Sequence, residues 1–106
     1  MKKLQIESKI EAHLVKSATE RGGMAIKLLS QFHRGLPDRL VLLPGGRMAF
    51  VELKTTGRRP TLLQARTHGK LRDLGFAVYV ADSTEQVDDI LGQTAGTPAQ
   101  TEEGRR

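Results

Sequence analysis

The stretch GLPDRLVLLPGGRMAFVELKT, residues 35–55, decides how this chain of 106 residues is read. Two apolar runs, 39–43 and 47–54, flank Pro44-Gly45-Gly46, which is the pattern of a β-hairpin with a three-residue loop. Pro37 biases Leu36 toward an extended conformation, so the first strand is entered at about Asp38. Residues two apart share a face of a strand, so Phe50, Glu52 and Lys54 project together while Val51 and Leu53 project to the other side. If Leu43 pairs with Arg47, the same register sets Asp38 opposite Glu52, with Cβ atoms roughly 5 Å apart. Two carboxylates and one ammonium then converge at one end of a hairpin that is otherwise apolar.

Outward from the hairpin, the other elements follow from periodicity and punctuation. Leu4, Ile6, Ile10, Leu14, Val15 and Ala18 fall mostly at helical spacing over residues 4–21, and Gly22-Gly23 stops that helix. Residues 24–30, MAIKLLS, read as a strand, and QFHRGLP after it has loop chemistry. TGRRP, residues 56–60, is a basic loop, and Thr61 caps a second helix that runs to about Asp73 and ends at Gly75. FAVYVA, residues 76–81, is an apolar, β-branched strand. Ser83 then caps a third helix over residues 85–91, with acids in its first turn. From Gly92 onward the residues are Gly, Thr, Pro, Gln, Glu and Arg with almost nothing to bury, which predicts a disordered tail over residues 92–106 behind a single domain over 1–91. The order is α-β-β-β-α-β-α, giving an α/β class domain. Its three-stranded meander and helical crossover to a fourth strand predict a mixed four-stranded sheet flanked by helices.

Composition bounds the function. The length suits one small domain, and with 38% hydrophobic residues and four aromatics its core must be mostly Leu, Val, Ile and Ala. Lysine and arginine number 17 against 12 acids, and a net charge of +5 favours a polyanionic partner, although solubility alone also accounts for it. Cysteine is absent, which excludes disulfides, thiolate zinc sites and a cysteine nucleophile. No apolar run approaches the roughly 20 residues needed to span a bilayer, and the N-terminus turns charged before a signal-type stretch develops, so a cytoplasmic protein is expected. Arg58, Arg59, Arg66, Lys70 and Arg72 form the densest basic cluster. With Lys27, Arg34 and Arg39 they are the candidates for tracking a phosphate backbone. His13, His33 and His68 lack metal-ligand spacing and read as surface or packing residues, with only His33 near the acids.

Adjacent carboxylates raise each other's pKa unless a cation lies between them, and hard oxygen ligands suit Mg²⁺ or Mn²⁺. Such an ion polarises a phosphoryl oxygen and activates water, and a neighbouring lysine positions that water or stabilises developing charge; this is the chemistry of phosphodiester hydrolysis. The plainer alternative makes Glu52 and Lys54 a same-face ion pair and Asp38 a turn residue. A lone E-x-K matches by accident, so the weight rests on the joint pattern of Asp38, Glu52 and Lys54.

GLPDRLVLLPGG followed by FVELK resembles the virus-type replication-repair nucleases, the VRR-NUC branch of the PD-(D/E)xK superfamily, in their stand-alone phage or prophage form. The resemblance runs from Glu7 through RGG, PDR, VELK, LLQ and LGFAVYVADS, nearly everything except the tail. It implies Asp38 and Glu52 as metal ligands, the Leu53 carbonyl as a third, and Lys54 as the catalytic lysine. Family members also place an acid in the first helix. Glu7 and Glu11 lie i, i+4 on one helix face; ESKIE resembles the family's E-x-x-I-(Q/E) and points to Glu7, while Glu11 is closer to the sheet junction, so both stay in play. Gln64 in TLLQ resembles a glutamine kept near the site, and Lys27 matches a lysine able to contact phosphate. The resemblance further implies a Mg²⁺- or Mn²⁺-dependent DNA endonuclease acting on branched DNA such as Holliday junctions as a homodimer. The rivals are a non-catalytic basic DNA-binding or structural module, and a restriction-type endonuclease, for which no added base-reading domain is visible.

Overall fold

A computed structural model describes residues 3–96. The elements are α1 (Glu7–Glu20), β1 (Met24–Lys27), β2 (Arg39–Leu43), β3 (Arg47–Leu53), α2 (Leu62–Asp73), β4 (Val78–Ala81) and α3 (Thr84–Gly96). The strands form one sheet in the order β1-β2-β3-β4, antiparallel across the first three and parallel between β3 and β4. This is the predicted mixed α/β sheet. The parallel pair follows from α2, which carries the chain back so that β4 runs alongside β3.

The hairpin register is the one the turn dictates. Leu43 pairs with Arg47 and Arg39 with Val51, and Gly45 and Gly46 both take positive φ, 87° and 74°, conformations that a side chain would disfavour in so tight a loop. Val41, Leu43, Val51 and Leu53 therefore point to one face of the sheet, where they pack with Ile10 and Leu14 of α1 and Val87, Ile90 and Leu91 of α3. Phe50 and Glu52 point to the other, toward α2. The core is aliphatic, as the composition requires, and no helix among the described residues is long and apolar enough to cross a membrane.

Four element boundaries differ by two residues or more from the sequence-based expectation. α1 begins at Glu7 rather than at residue 4, because Gln5 is drawn onto Thr56, its N–H donating to that hydroxyl and its carbonyl accepting the Thr56 N–H. β1 ends at Lys27 rather than at residue 30, because the chain leaves the sheet after the Leu28 N–H bonds the Asp38 carbonyl at 2.9 Å. The following loop docks on α2: the Thr67 hydroxyl donates to the Arg34 carbonyl at 2.9 Å. Gly35 has φ +84°, and a Cβ there would lie 2.5 Å from that hydroxyl. β4 begins at Val78 rather than Phe76, because Phe76 and Gly75 close the end of α2 by donating to the carbonyls of Leu71 and Arg72, a Schellman arrangement. Most consequentially, the boundary expected after Leu91 falls inside α3, which continues to Gly96. Thr94 lies one turn beyond Ile90 and Leu91 on the same face. It is buried, and its hydroxyl bonds the Ile90 carbonyl at 2.8 Å. Packing of Thr94 and Ala95 against the core outweighs the roughly 1 kcal/mol that Gly92 costs inside a helix. The remainder of the expected tail, 97–106, lies outside the described residues.

Candidate active site

The end of β3 is where the chain gathers its charges. Glu52 is 1% exposed, a rare position for a carboxylate unless something holds it. Its Oε2 accepts from the Gln64 amide at 3.0 Å and stands 3.2 Å from the Lys54 ammonium. Asp38, one residue before β2, reaches the same place: its Oδ2 accepts the Leu53 N–H at 2.7 Å, as expected for a residue set opposite Glu52 by the hairpin register. The anticipated trio is thus brought together by one strand pair.

Gln64 enters from α2. The helix begins with a capping box in which the Thr61 hydroxyl accepts the Gln64 N–H at 3.2 Å and the Gln64 Oε1 accepts the Thr61 N–H at 2.9 Å. With its oxygen committed to the helix cap, the amide turns its NH₂ to Glu52. The residue that completes the helix cap therefore also fixes a carboxylate.

Electrostatically the site is overloaded with negative charge. Burial, and secondly Asp38, push the Glu52 carboxyl from 4.5 up to about 7, with Lys54 pulling the other way. Glu7 is exposed as a residue, yet partial desolvation of its carboxyl and then Asp38 raise its pKa as well, against Lys54. Glu7 is placed there because its N–H bonds the Thr55 hydroxyl at 3.0 Å, while Gln5 and Thr56 exchange backbone contacts beside it. Of the two helix-one acids, Glu7 is the one whose carboxyl feels Asp38 and Lys54. Glu11 forms an ion pair at 3.0 Å with Arg39.

Two clefts flank these acids and share Thr61. One, of about 440 Å³, is lined by Ser30, Gln31, Arg34, Asp38 and Gln64 among others. The second, of about 390 Å³, is lined by Glu7, Lys54, Thr55, Arg58 and Arg59. Of the basic residues read from the sequence, Arg34, Arg58 and Arg59 thus border the acids. Arg66 and Lys70 are exposed on α2. Arg72 is tied to the Val78 carbonyl at 2.8 Å, and Arg39 to Glu11 and the Ala25 carbonyl. Lys27 pairs with Arg39, and directly paired residues share a sheet face, so it lies on the α1 side rather than beside Glu52.

The histidine beside the acids is His68 rather than the expected His33. His33 is exposed in the loop, whereas His68 is 1% exposed on α2 with its Nε2 3.6 Å from the Glu52 Oε1. Burial, then the Arg72 charge, lower its pKa. The signal that locates it is the i, i+4 step from Gln64, which puts both side chains on the same face of α2.

No family model matches the chain. Over 79 residues it is 48% identical to "Putative nuclease p44" of Acyrthosiphon pisum secondary endosymbiont phage 1, an alignment that spans 74% of this chain and 85% of that protein. A solved structure described as "VRR_NUC domain" superposes with a TM-score of 0.75 at 33% identity, covering 81% of this chain and 94% of the other. Sheet order, helix placement and the acids at the end of β3 define a small α/β domain of the VRR_NUC fold. The chain belongs to the VRR-NUC family.

Proposed function

We propose that this protein is a divalent-metal-dependent DNA nuclease that hydrolyses phosphodiester bonds at the end of β3. The observation that carries the reading is Glu52, a fully buried carboxylate with Asp38 beside it and Lys54 at 3.2 Å. Such an arrangement is costly unless a cation resolves it. The residues fit a hard ion: Asp38, held on the Leu53 N–H, and Glu52 set two carboxylates at the end of β3 against the single positive charge of Lys54. Among the described residues no three acids or histidines form a complete cage, but Mg²⁺ is commonly bound through one or two carboxylates and keeps several waters. Asp38, Glu52 and the Leu53 carbonyl would hold the ion, with Glu7 at the rim. When bound, it would polarise a phosphoryl oxygen and lower the pKa of a water.

The chain's own groups do the rest. Lys54 supplies positive charge beside Glu52, where it stabilises the charge developing on the phosphoryl group or orients the attacking water. Gln64 keeps Glu52 from turning away. Arg34 on one side and Arg58 and Arg59 on the other are placed to hold the backbone across the acids.

The finer reading is a homodimer acting on branched DNA such as a Holliday junction, since one small domain has one site and a symmetric junction needs two cuts. A surface for the second copy is available. Met24 pairs with Leu42 and Leu42 with Met48; Ile26 pairs with Leu40 and Leu40 with Phe50. Direct pairs share a face, so these six residues form an apolar patch opposite α1 and α3, and Met24 and Ile26 remain 53% and 40% exposed. The deciding experiment is cleavage of junction, flap, single-stranded and duplex DNA in Mg²⁺ and in EDTA, with Glu52→Gln beside the parent. Binding without cleavage in every metal would favour the non-catalytic DNA-binding module instead.

A further inference from the structure

Two buried atoms face each other and neither has a hydrogen-bond partner: the Glu52 Oε1 and the His68 Nε2, 3.6 Å apart. Buried polar atoms are nearly always satisfied, and each exception calls for an explanation. Simple packing is a poor one, because Leu or Met would fill the space behind Glu52 without stranding a nitrogen. The two residues are also not adjacent by accident of a mobile chain. His68 follows Gln64 by one helical turn, and α2 is fixed at its start by the capping box and at Thr67 by the loop carbonyl of Arg34. One helix face therefore presents two nitrogen groups to the two oxygens of one carboxylate, Gln64 to Oε2 and His68 to Oε1.

We infer that His68 is a positioning residue for Glu52: its Nε2–H donates to Oε1 in the working enzyme and holds the carboxylate so that Oε2 faces Asp38 and Lys54. A movement of a few tenths of an ångström brings the present separation within ordinary hydrogen-bond range. The neutral ring has one N–H to give, so the role fixes the tautomer as protonated at Nε2. Partners that orient a metal-binding side chain in this way commonly change metal affinity by about tenfold or more when lost.

The inference rests on the nuclease reading and is tested apart from it. His68→Leu keeps volume and removes the donor, whereas His68→Gln restores an N–H near the Nε2 position. Expected for a positioning role is a Mn²⁺ affinity, measured on the protein without DNA, weakened about tenfold in His68→Leu and largely recovered in His68→Gln. kcat should fall with KM little changed, and His68→Leu should add nothing in a Glu52→Gln background. In the metal-free parent, ¹⁵N spectra should show His68 protonated at Nε2, with a resonance that moves in Glu52→Gln. Unchanged Mn²⁺ affinity in His68→Leu, failure of His68→Gln to recover it, or an Nδ1-protonated ring would overturn the role of His68 while leaving the nuclease reading intact. Failure of the parent to bind Mn²⁺ or to cut any DNA would sink both.

Discussion

At the scale of single residues, the site holds carboxylates whose pKa values are raised by burial and then by one another. Removing one should therefore separate activity from stability. Glu52→Gln or Asp38→Asn is expected to reduce cleavage by at least about 100-fold, since each deletes a proposed ion ligand, and Lys54→Met should do the same through the charge it supplies. The pH dependence of metal-free stability tests Glu52 directly. Its folded pKa of about 7 exceeds the unfolded value of 4.5, so between those values the native state binds more protons than the unfolded one. Stability contributed by the protonated group is present below pH 4.5 and lost as pH rises toward 7. The loss is on the order of 3 kcal/mol. Melting curves of the apo protein should thus show the parent matching Glu52→Gln near pH 4 and falling below it at pH 8; parallel curves would refute the raised pKa. The trio was legible in the sequence because strand alternation and a three-residue turn fix faces and register without tertiary knowledge. His68 was not, because its role depends on which face of α2 meets the sheet.

Among the secondary-structure elements, α2 couples the fold to the site. Thr61→Ala removes the hydroxyl that accepts the Gln64 N–H, a change that typically costs about 1 kcal/mol. Because Gln64 also grips Glu52, cleavage should drop more than the lost stability explains, and comparing urea midpoints with kcat at saturating DNA will show whether it does. Equal activity in a destabilised Thr61→Ala would mean that the cap and the site are independent. Helix and strand order were readable since turns, caps and apolar periodicity agree locally. The errors fell where long-range packing overrides local composition. Gly92 reads as a stop, yet Thr94 and Ala95 continue the buried stripe begun by Val87, Ile90 and Leu91. Truncation after Leu91 should accordingly lower the melting temperature, where composition alone predicts no change.

For the whole molecule, charge and exposed apolar area point to different partners. With +5 net charge and Arg58 and Arg59 beside Lys54, DNA binding should weaken steeply with salt. Neutralising both arginines should flatten the slope of log K against log salt by roughly two units, about one per lost phosphate contact. An unchanged slope in filter binding would move the DNA path to the Arg34 side. The apolar patch over β1, β2 and β3 makes the opposite forecast, because association through Met24, Ile26 and their paired neighbours buries hydrocarbon and is little screened by salt. Met24 and Ile26 are exposed, so replacing either with a charged residue leaves the core packing of the monomer untouched while placing an unpaired charge in the proposed interface. Met24→Glu should shift the protein from dimer to monomer in sedimentation velocity at both low and high salt, with the monomer's fold and Mn²⁺ affinity retained. Its cleavage of a symmetric junction should lose coordination, the two nicks appearing in separate binding events rather than together. A parent that sediments as a monomer at every concentration would remove the dimer from the proposal, and a Met24→Glu variant that remains dimeric would place the interface on another face.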